Sequence, residues 1–389
     1  MLAINCHVST NVLSVYEVPF NRPFQSGNEQ AYLSKALETG TLAGDGPATQ
    51  FVQGYCKKTF GFPHFWLTPS CTQALEMAAI LTNAEPGDEI IIPSYTFVST
   101  ANAFVIRGAK PVFADSLPEH PNVDPEHIAS LITDKTKAIV VVHYAGMGCD
   151  MTAINQLAER HHLLVIEDAA QCTFASYKGE YLGGIGHFGA ISYHETKNIH
   201  CGEGGALIVR DEAFAGRAEI IREKGTNRSA FLRGEVDKYS WVDIGSSYLP
   251  SELNAAFLQA QLESAERVTE RRKKLWSRYH EELKEVEKVG VERPTVPEGA
   301  DHNGHIYYLT CRDGEQRNEL IRRLAEAGIQ ATFHYQALHD SPYYRKHHNG
   351  GQLPNAERFT DTLVRLPLYY DLLEDEVGRV CETVKEILK

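Results

Sequence analysis

Between Thr68 and Arg210 short apolar runs alternate with stretches of helical period. "DEIIIPS" reads as a strand, "TANAFVIRGA" as a helix and "KPVFAD" as a strand. Asp124-Pro125 offers an N-cap and a first-turn proline to a helix over "PEHIASLIT". "KAIVVVHY" is a strand, "MTAINQLAERHH" a helix and "LLVIED" a strand. Strands that are apolar throughout and separated by helices predict a largely parallel sheet covered on both faces. Ligands of such sheets collect at the carboxyl ends of the strands.

The pattern changes after Asp211. The polar stretch "GTNRSAFLRGEVDKYSWVDIGSSYLP" is too long for a plain connection and predicts a functional or interface segment. A long helical segment follows from Ser251 to about Glu287, then a linker, "VERPTVPEGADHNG". "HIYYLTC" and "IQATFHY" read as strands around the helix "EQRNELIRRLAEAG", which ends at a glycine C-cap. An amphipathic helix, "EDEVGRVCETVKEILK", closes the chain. The expected division is a large α/β domain over residues 18–250, a connecting helix over 251–290 and a small α+β domain over 291–389.

Composition narrows the partners. A formal charge of −13 argues against nucleic acid or an anionic membrane, both of which need a positive footprint. An anionic small molecule needs only a local cluster of donors. The eight cysteines are scattered without a CxxC pair, which predicts reduced thiols and no disulfide framework. His143, Cys149, His161 and His162 lack the paired spacing of zinc ligands. The opening "MLAINCHVSTNVLSV" lacks a basic start and a sustained apolar run, and no segment approaches the ~18 apolar residues of a membrane span. A soluble, cytoplasmic protein is the expectation.

Candidate chemistry gathers at predicted strand ends. In "LTPSCTQALEMAA", Ser70, Cys71 and Thr72 precede an apolar-periodic helix whose free N–H groups form an anion site; a plain helix cap is the simpler reading of the same residues. "VIEDAAQ" sets Asp168 at the tip of a buried strand with Gln171 beyond it, and a carboxylate there needs a cation or solvent. "SYHETKNIHCGEGG" places Lys197 five residues after Ser192, before a glycine-rich turn. A phosphate site, a carboxylate and a lysine on adjacent strand ends are what pyridoxal phosphate (PLP) requires. The lysine forms a Schiff base, and the carboxylate keeps the pyridine nitrogen protonated.

With "GDGPAT", "PSYTFVSTANAF" and "EKGTNR" added to these motifs, the chain from about Val18 to its C-terminal helix resembles the PLP-dependent nucleotide-sugar aminotransferases of the DegT family. The resemblance implies fold type I, of the aspartate aminotransferase kind: a large, mostly parallel sheet domain and a smaller α+β C-terminal domain. It implies Lys197 as the Schiff-base lysine, Asp168 at the pyridinium nitrogen, Gln171 near the ring hydroxyl and Phe97 stacked on the ring. Ser70, Cys71, Thr72 and Ser192 would surround the phosphate. Many relatives carry Asn or Arg where this chain reads "GSSYLP", so Ser247 or Tyr248 is expected to take that place at the neighbouring subunit's phosphate. A homodimer with shared active sites is implied. So is transfer from glutamate to carbon 4 of a dTDP-4-keto-6-deoxyhexose, giving dTDP-4-amino-4,6-dideoxygalactose for bacterial surface glycan. Arg22, Arg228, Arg233, His334 and Tyr335 are the candidate substrate contacts, with His339 beside them; arginine suits a diphosphate because its fork makes two parallel hydrogen bonds. Packing is the plainer reading of the aromatic residues.

Three rivals share parts of this pattern. A sugar dehydratase on the same fold typically has histidine at the Schiff-base position, where this chain has Lys197. A non-catalytic scaffold would be expected to lose Lys197 or Asp168. "GIGHFG", from Gly184 to Gly189, matches a dinucleotide fingerprint but leads into the strand "AISYH" and not a helix, so it is read as a decoy.

Overall fold

The structure, a computed structural model, describes residues 16–347 and 351–389. The first fifteen residues, on which the targeting expectation rests, lie outside the described residues. Seven strands form the main sheet in the order β1-β9-β8-β5-β4-β2-β3. They are β1 (His64–Thr68), β2 (Glu89–Pro93), β3 (Lys110–Ala114), β4 (Thr136–Val142), β5 (Leu164–Asp168), β8 (Phe188–Ser192) and β9 (Gly205–Val209). A two-residue pair, β6 (Ser176–Tyr177) and β7 (Glu180–Tyr181), precedes β8 and joins β10 (Ala300–Asp301) in a small sheet. Only β9 of the main sheet runs against the others.

Both faces of this sheet are buried, which explains the uninterrupted apolar runs. Ile90, Ile92, Val140, Ile166 and Leu207 enter one core, while Ile91, Ile139, Val141, Val165 and Ile208 enter another on the opposite face. Helices α1 (Glu29–Thr39), α2 (Pro47–Phe60), α3 (Cys71–Leu81), α4 (Val98–Val105), α5 (Pro125–Leu131), α6 (Met151–His161) and α7 (Glu212–Arg222) accompany it. Asp124 caps α5 by accepting from the Glu126 N–H, as its sequence predicts.

The polar stretch is partly ordered by local structure. It contains α8 (Arg228–Leu232) and is pinned by isolated bridges, Thr226 to Trp241 and Glu223 to Ser247. The helical segment expected from Ser251 to Glu287 is broken. It forms α9 (Glu252–Leu262) and α10 (Ala265–Glu282), separated at Glu263 and Ser264, and ends in 3₁₀ turns over Lys284–Val289. The two helices carry the chain from one core to another. Ala255, Ala256, Leu258 and Leu262 face the core of the main sheet, whereas Leu275, Trp276 and Tyr279 face a third core built with C-terminal residues. Glu252 also fixes the start of α9, because its carboxylate accepts from the N–H groups of Gly46, Ala48 and Thr49 at the head of α2.

The C-terminal unit has a three-stranded antiparallel sheet, β11-β13-β12, from β11 (Tyr307–Thr310), β12 (Thr332–Phe333) and β13 (Leu363–Leu366). Helices α11 (Gly314–Glu326), α12 (Pro354–Thr362) and α13 (Glu374–Leu388) pack with it. It shares a core with the large sheet: Tyr308, Ala337, Phe359 and Leu363 pack with Tyr95 and Tyr144. Asp115, just after β3, accepts from the N–H groups of Asn355 and Ala356 in the first turn of α12.

Candidate active site

A cavity of about 580 Å³ opens where the carboxyl ends of β4, β5 and β8 meet β13 and the segment after β12. Lys197 lies in the loop between β8 and β9. Its amine makes no hydrogen bond or ion pair among the described residues. Burial lowers its pKa, and the nearby Arg365 charge pushes the same way; Cys71 and Asp168 oppose them. The amine is therefore poised as a nucleophile rather than held as a salt-bridge partner.

Asp168 ends β5 with 6% of its surface exposed. One carboxylate oxygen accepts from Thr100 Oγ1 at 2.7 Å and the other from the Ala170 N–H at 3.2 Å. Burial raises its pKa, while the Thr100 and Ala170 hydrogen bonds and the Lys197 charge favour the ionised form. Gln171 is locked in place: its carbonyl accepts from the Ala145 N–H at 2.6 Å and its amide donates to Tyr335 Oη at 3.2 Å.

The residue before Asp168 explains "GIGHFG". Glu167 is fully buried, and its carboxylate accepts from the N–H groups of Gly183, Ile185 and Gly186. The Cys149 N–H donates to His143 Nδ1, so the imidazole proton sits on Nε2 and points at Glu167, 2.9 Å away. A Cβ on Gly189 would lie 1.9 Å from the Gly183 carbonyl oxygen. The glycines thus wrap a carboxylate beneath the site, and the decoy reading of the motif agrees with this.

The head of α3 forms the other wall. Ser70 Oγ accepts from the Gln73 N–H, and Thr72 donates to Ser99 Oγ at 2.8 Å. The Cys71 and Thr72 N–H groups have no acceptor among the described residues, as expected at a helix start that faces a cavity. Gly205 pairs with Thr68 across β1 and β9, and a Cβ there would lie 2.3 Å from Cys71 N. That glycine lets the helix head sit down on the strand. A half-buried lysine with a free amine, a buried carboxylate and an open helix N-terminus fit pyridoxal phosphate. Lys197 would hold its aldehyde, Asp168 its ring nitrogen, and Ser70, Cys71, Thr72 and Ser192 its phosphate.

Phe97, 56% exposed at the start of α4, lines the cavity, as do Ser192, His334 and Tyr335. His334 and Tyr335 stack with centroids 3.6 Å apart, and His334 Nδ1 meets Tyr144 Oη at 2.8 Å. Tyr335 has a φ of 48°, unusual for a bulky residue.

Other expected residues lie elsewhere in this chain. Tyr248 is turned inward, with its hydroxyl donating to Glu76. Ser247 is exposed beside its bridge to Glu223 and away from the cavity. Arg233 is clasped by Glu219 and Glu235, and Arg228 lies 3.7 Å from Glu223. Arg22 sits over the Tyr369 ring, although its neighbour Asn21 lines the cavity. His339 is buried against Ser94 and Glu357, outside the cavity. Thr100, Arg272, His305 and Arg365 escaped the sequence reading. Thr100 supports Asp168, and the other three line the cavity.

The chain matches the DegT/DnrJ/EryC1/StrS aminotransferase family over residues 24–385. It is 33% identical over 381 residues to the spore coat polysaccharide biosynthesis protein SpsC of Bacillus subtilis, covering 96% of this chain and 97% of that one. DesV of S. venezuelae superposes with a TM-score of 0.87 at 30% identity, covering 96% of this chain and 98% of DesV. Spr1654 of Streptococcus pneumoniae, solved in its PMP form, gives a TM-score of 0.88 at 25% identity over 95% of this chain and 99% of its own. Its fold, its cavity and these relatives lead to one conclusion: the chain belongs to the DegT/DnrJ/EryC1/StrS aminotransferase family and is a pyridoxal-phosphate-dependent aminotransferase.

Proposed function

We propose that the enzyme transfers the amino group of glutamate to carbon 4 of a dTDP-4-keto-6-deoxyhexose, giving dTDP-4-amino-4,6-dideoxygalactose for a bacterial surface glycan. The observation that carries the reaction class is Lys197: a half-buried, unpaired amine in one cavity with Asp168 and the open head of α3. When bound, pyridoxal phosphate supplies a sink for the electron pair left when a carbon loses its proton. Lys197 Nζ, free of hydrogen-bond partners, is suited to move that proton. Asp168, supported by Thr100, would pair with the ring nitrogen and keep it protonated. Phe97 and Tyr335 provide stacking faces, and the stacked His334 presents a neutral imidazole because burial lowers its pKa.

A sugar acceptor is supported by relatives. SpsC is described as a polysaccharide biosynthesis protein and Spr1654 as a candidate sugar aminotransferase. The dTDP nucleotide, glutamate and the axial amine rest on the resemblance of the quoted motifs. Incubation with dTDP-4-keto-6-deoxyglucose, glutamate and PLP, with NMR coupling analysis of the product, tests all three. An equatorial amine would overturn the stereochemistry alone. Absence of 2-oxoglutarate with every 4-keto nucleotide sugar would defeat the reading itself.

The active unit is proposed to be a homodimer. Leu232, Tyr239, Trp241 and Val242 expose a run of apolar side chains around α8, and Trp241 is 81% exposed. A second copy covering this surface would explain apolar groups that water otherwise meets.

A further inference from the structure

Two arginines line the cavity, and they differ in what holds them. Arg272 donates to three backbone carbonyls, those of Gly304, His305 and Leu368, which accounts for its burial. Arg365 has one such bond, from Nη2 to the Phe333 carbonyl at 3.0 Å. Its Nε is buried without a hydrogen-bond partner among the described residues, and no carboxylate among them lies within ion-pair distance. The Phe20 ring covers one face of the guanidinium, 4.7 Å from its central carbon. The side chain rises from the middle strand of the C-terminal sheet, where Arg365 is paired with Tyr308 on one side and Thr332 on the other. A guanidinium positioned this firmly, with unused donors facing a cavity, calls for an anion from outside the chain.

We infer that Arg365 is the binding group for the α-carboxylate of the amino donor, the anion attached to the same carbon as the amine that meets Lys197. This rests on the proposed use of glutamate. Two sources of anion compete for the assignment, the donor carboxylate and the diphosphate of the nucleotide sugar. Proximity decides between them. Arg365 and Lys197 line the same cavity, and an α-carboxylate must fall beside the reacting nitrogen. A diphosphate is attached across the sugar ring from carbon 4 and reaches the enzyme farther out. The cofactor phosphate has its own donors at the head of α3, on the opposite wall.

Arg365→Lys and Arg365→Met are tested as the full-length holoenzyme against wild type. Binding of 2-oxoglutarate to the PLP form, where no transfer can follow, is measured by calorimetry. The expected loss in affinity is about tenfold for lysine and a hundredfold for methionine, the range for a charged hydrogen-bonded pair. The glutamate half-reaction should lose affinity by the same factors. The preference for glutamate over 4-aminobutyrate, which is glutamate without its α-carboxylate, should collapse in Arg365→Met. The half-reaction with the nucleotide amino sugar should stay within about threefold. Unchanged 2-oxoglutarate affinity in both variants, with wild-type circular dichroism, would overturn the assignment; so would weakening confined to the nucleotide sugar. A wild-type enzyme that ignores glutamate would instead overturn the donor reading, before any variant is compared.

Discussion

Lys197 and Asp168 line one cavity without touching, and this arrangement makes the cofactor-free enzyme sensitive to pH. The lysine's pKa is lowered in the folded protein, chiefly by burial. The unfolded chain therefore holds that proton up to higher pH than the folded chain does. Between the lowered value and the ordinary lysine value the unfolded state binds more protons, so stability rises with pH across that window. Below the window the full cost is present. Lys197→Met should thus raise the melting temperature of the cofactor-free enzyme at neutral pH. The advantage should shrink as pH climbs and vanish at the ordinary lysine range. A stability gap independent of pH, read by scanning calorimetry, would contradict this. The same variant should lose turnover by orders of magnitude. The cavity residues at strand ends were legible because their chemistry is local: Ser70, Cys71, Thr72, Asp168, Gln171, Ser192 and Lys197 each stand beside a turn or a helix start. Arg365 and His305 were not, since "LVRLPL" and "GHIYYL" read as ordinary strands and only tertiary packing turns them into the cavity. Arg228 and Arg233 are held within this chain by local partners. Carboxylates at Glu219, Glu223 and Glu235 were already close in sequence and occupy them.

At the scale of elements, the contact between β9 and the head of α3 is the tightest determinant of the anion site. Gly205→Ala would push a methyl group into the Cys71 amide, so the helix head must lift off the strand. PLP affinity should fall at least tenfold in this variant, measured by fluorescence titration, with Ser192 and Lys197 chemically unaltered. Retained affinity would mean that the α3 amides do not hold the phosphate. The strands of the main sheet were readable because burial on both faces leaves no polar positions to confuse their period. The broken helix from Ser251 was not. Glu263 and Ser264 are unremarkable in sequence; Ala265 and Val268 just past the break still face the core of the main sheet, and the later Leu275, Trp276 and Tyr279 face the third core.

For the whole molecule, the apolar surface around α8 predicts association. Sedimentation at micromolar concentration should find a dimer, and Trp241→Glu should weaken it at least tenfold while leaving the protomer folded. A fully active wild-type monomer would refute the proposed assembly. The aromatic cluster that joins the two sheets has a different consequence. Tyr95 packs on Tyr144 and Phe359, and Tyr144 on Tyr308, so rings from the large sheet and the C-terminal unit interlock. Neither half can let go without exposing the other's interior. Heating one protomer should therefore give a single calorimetric transition with matching calorimetric and van't Hoff enthalpies. Limited proteolysis of the linker before β11 should nick the chain without releasing a fragment. The two walls of the catalytic cavity then rise and fall together, and the enzyme must admit a bulky sugar through loops and side chains, not by swinging one half away from the other.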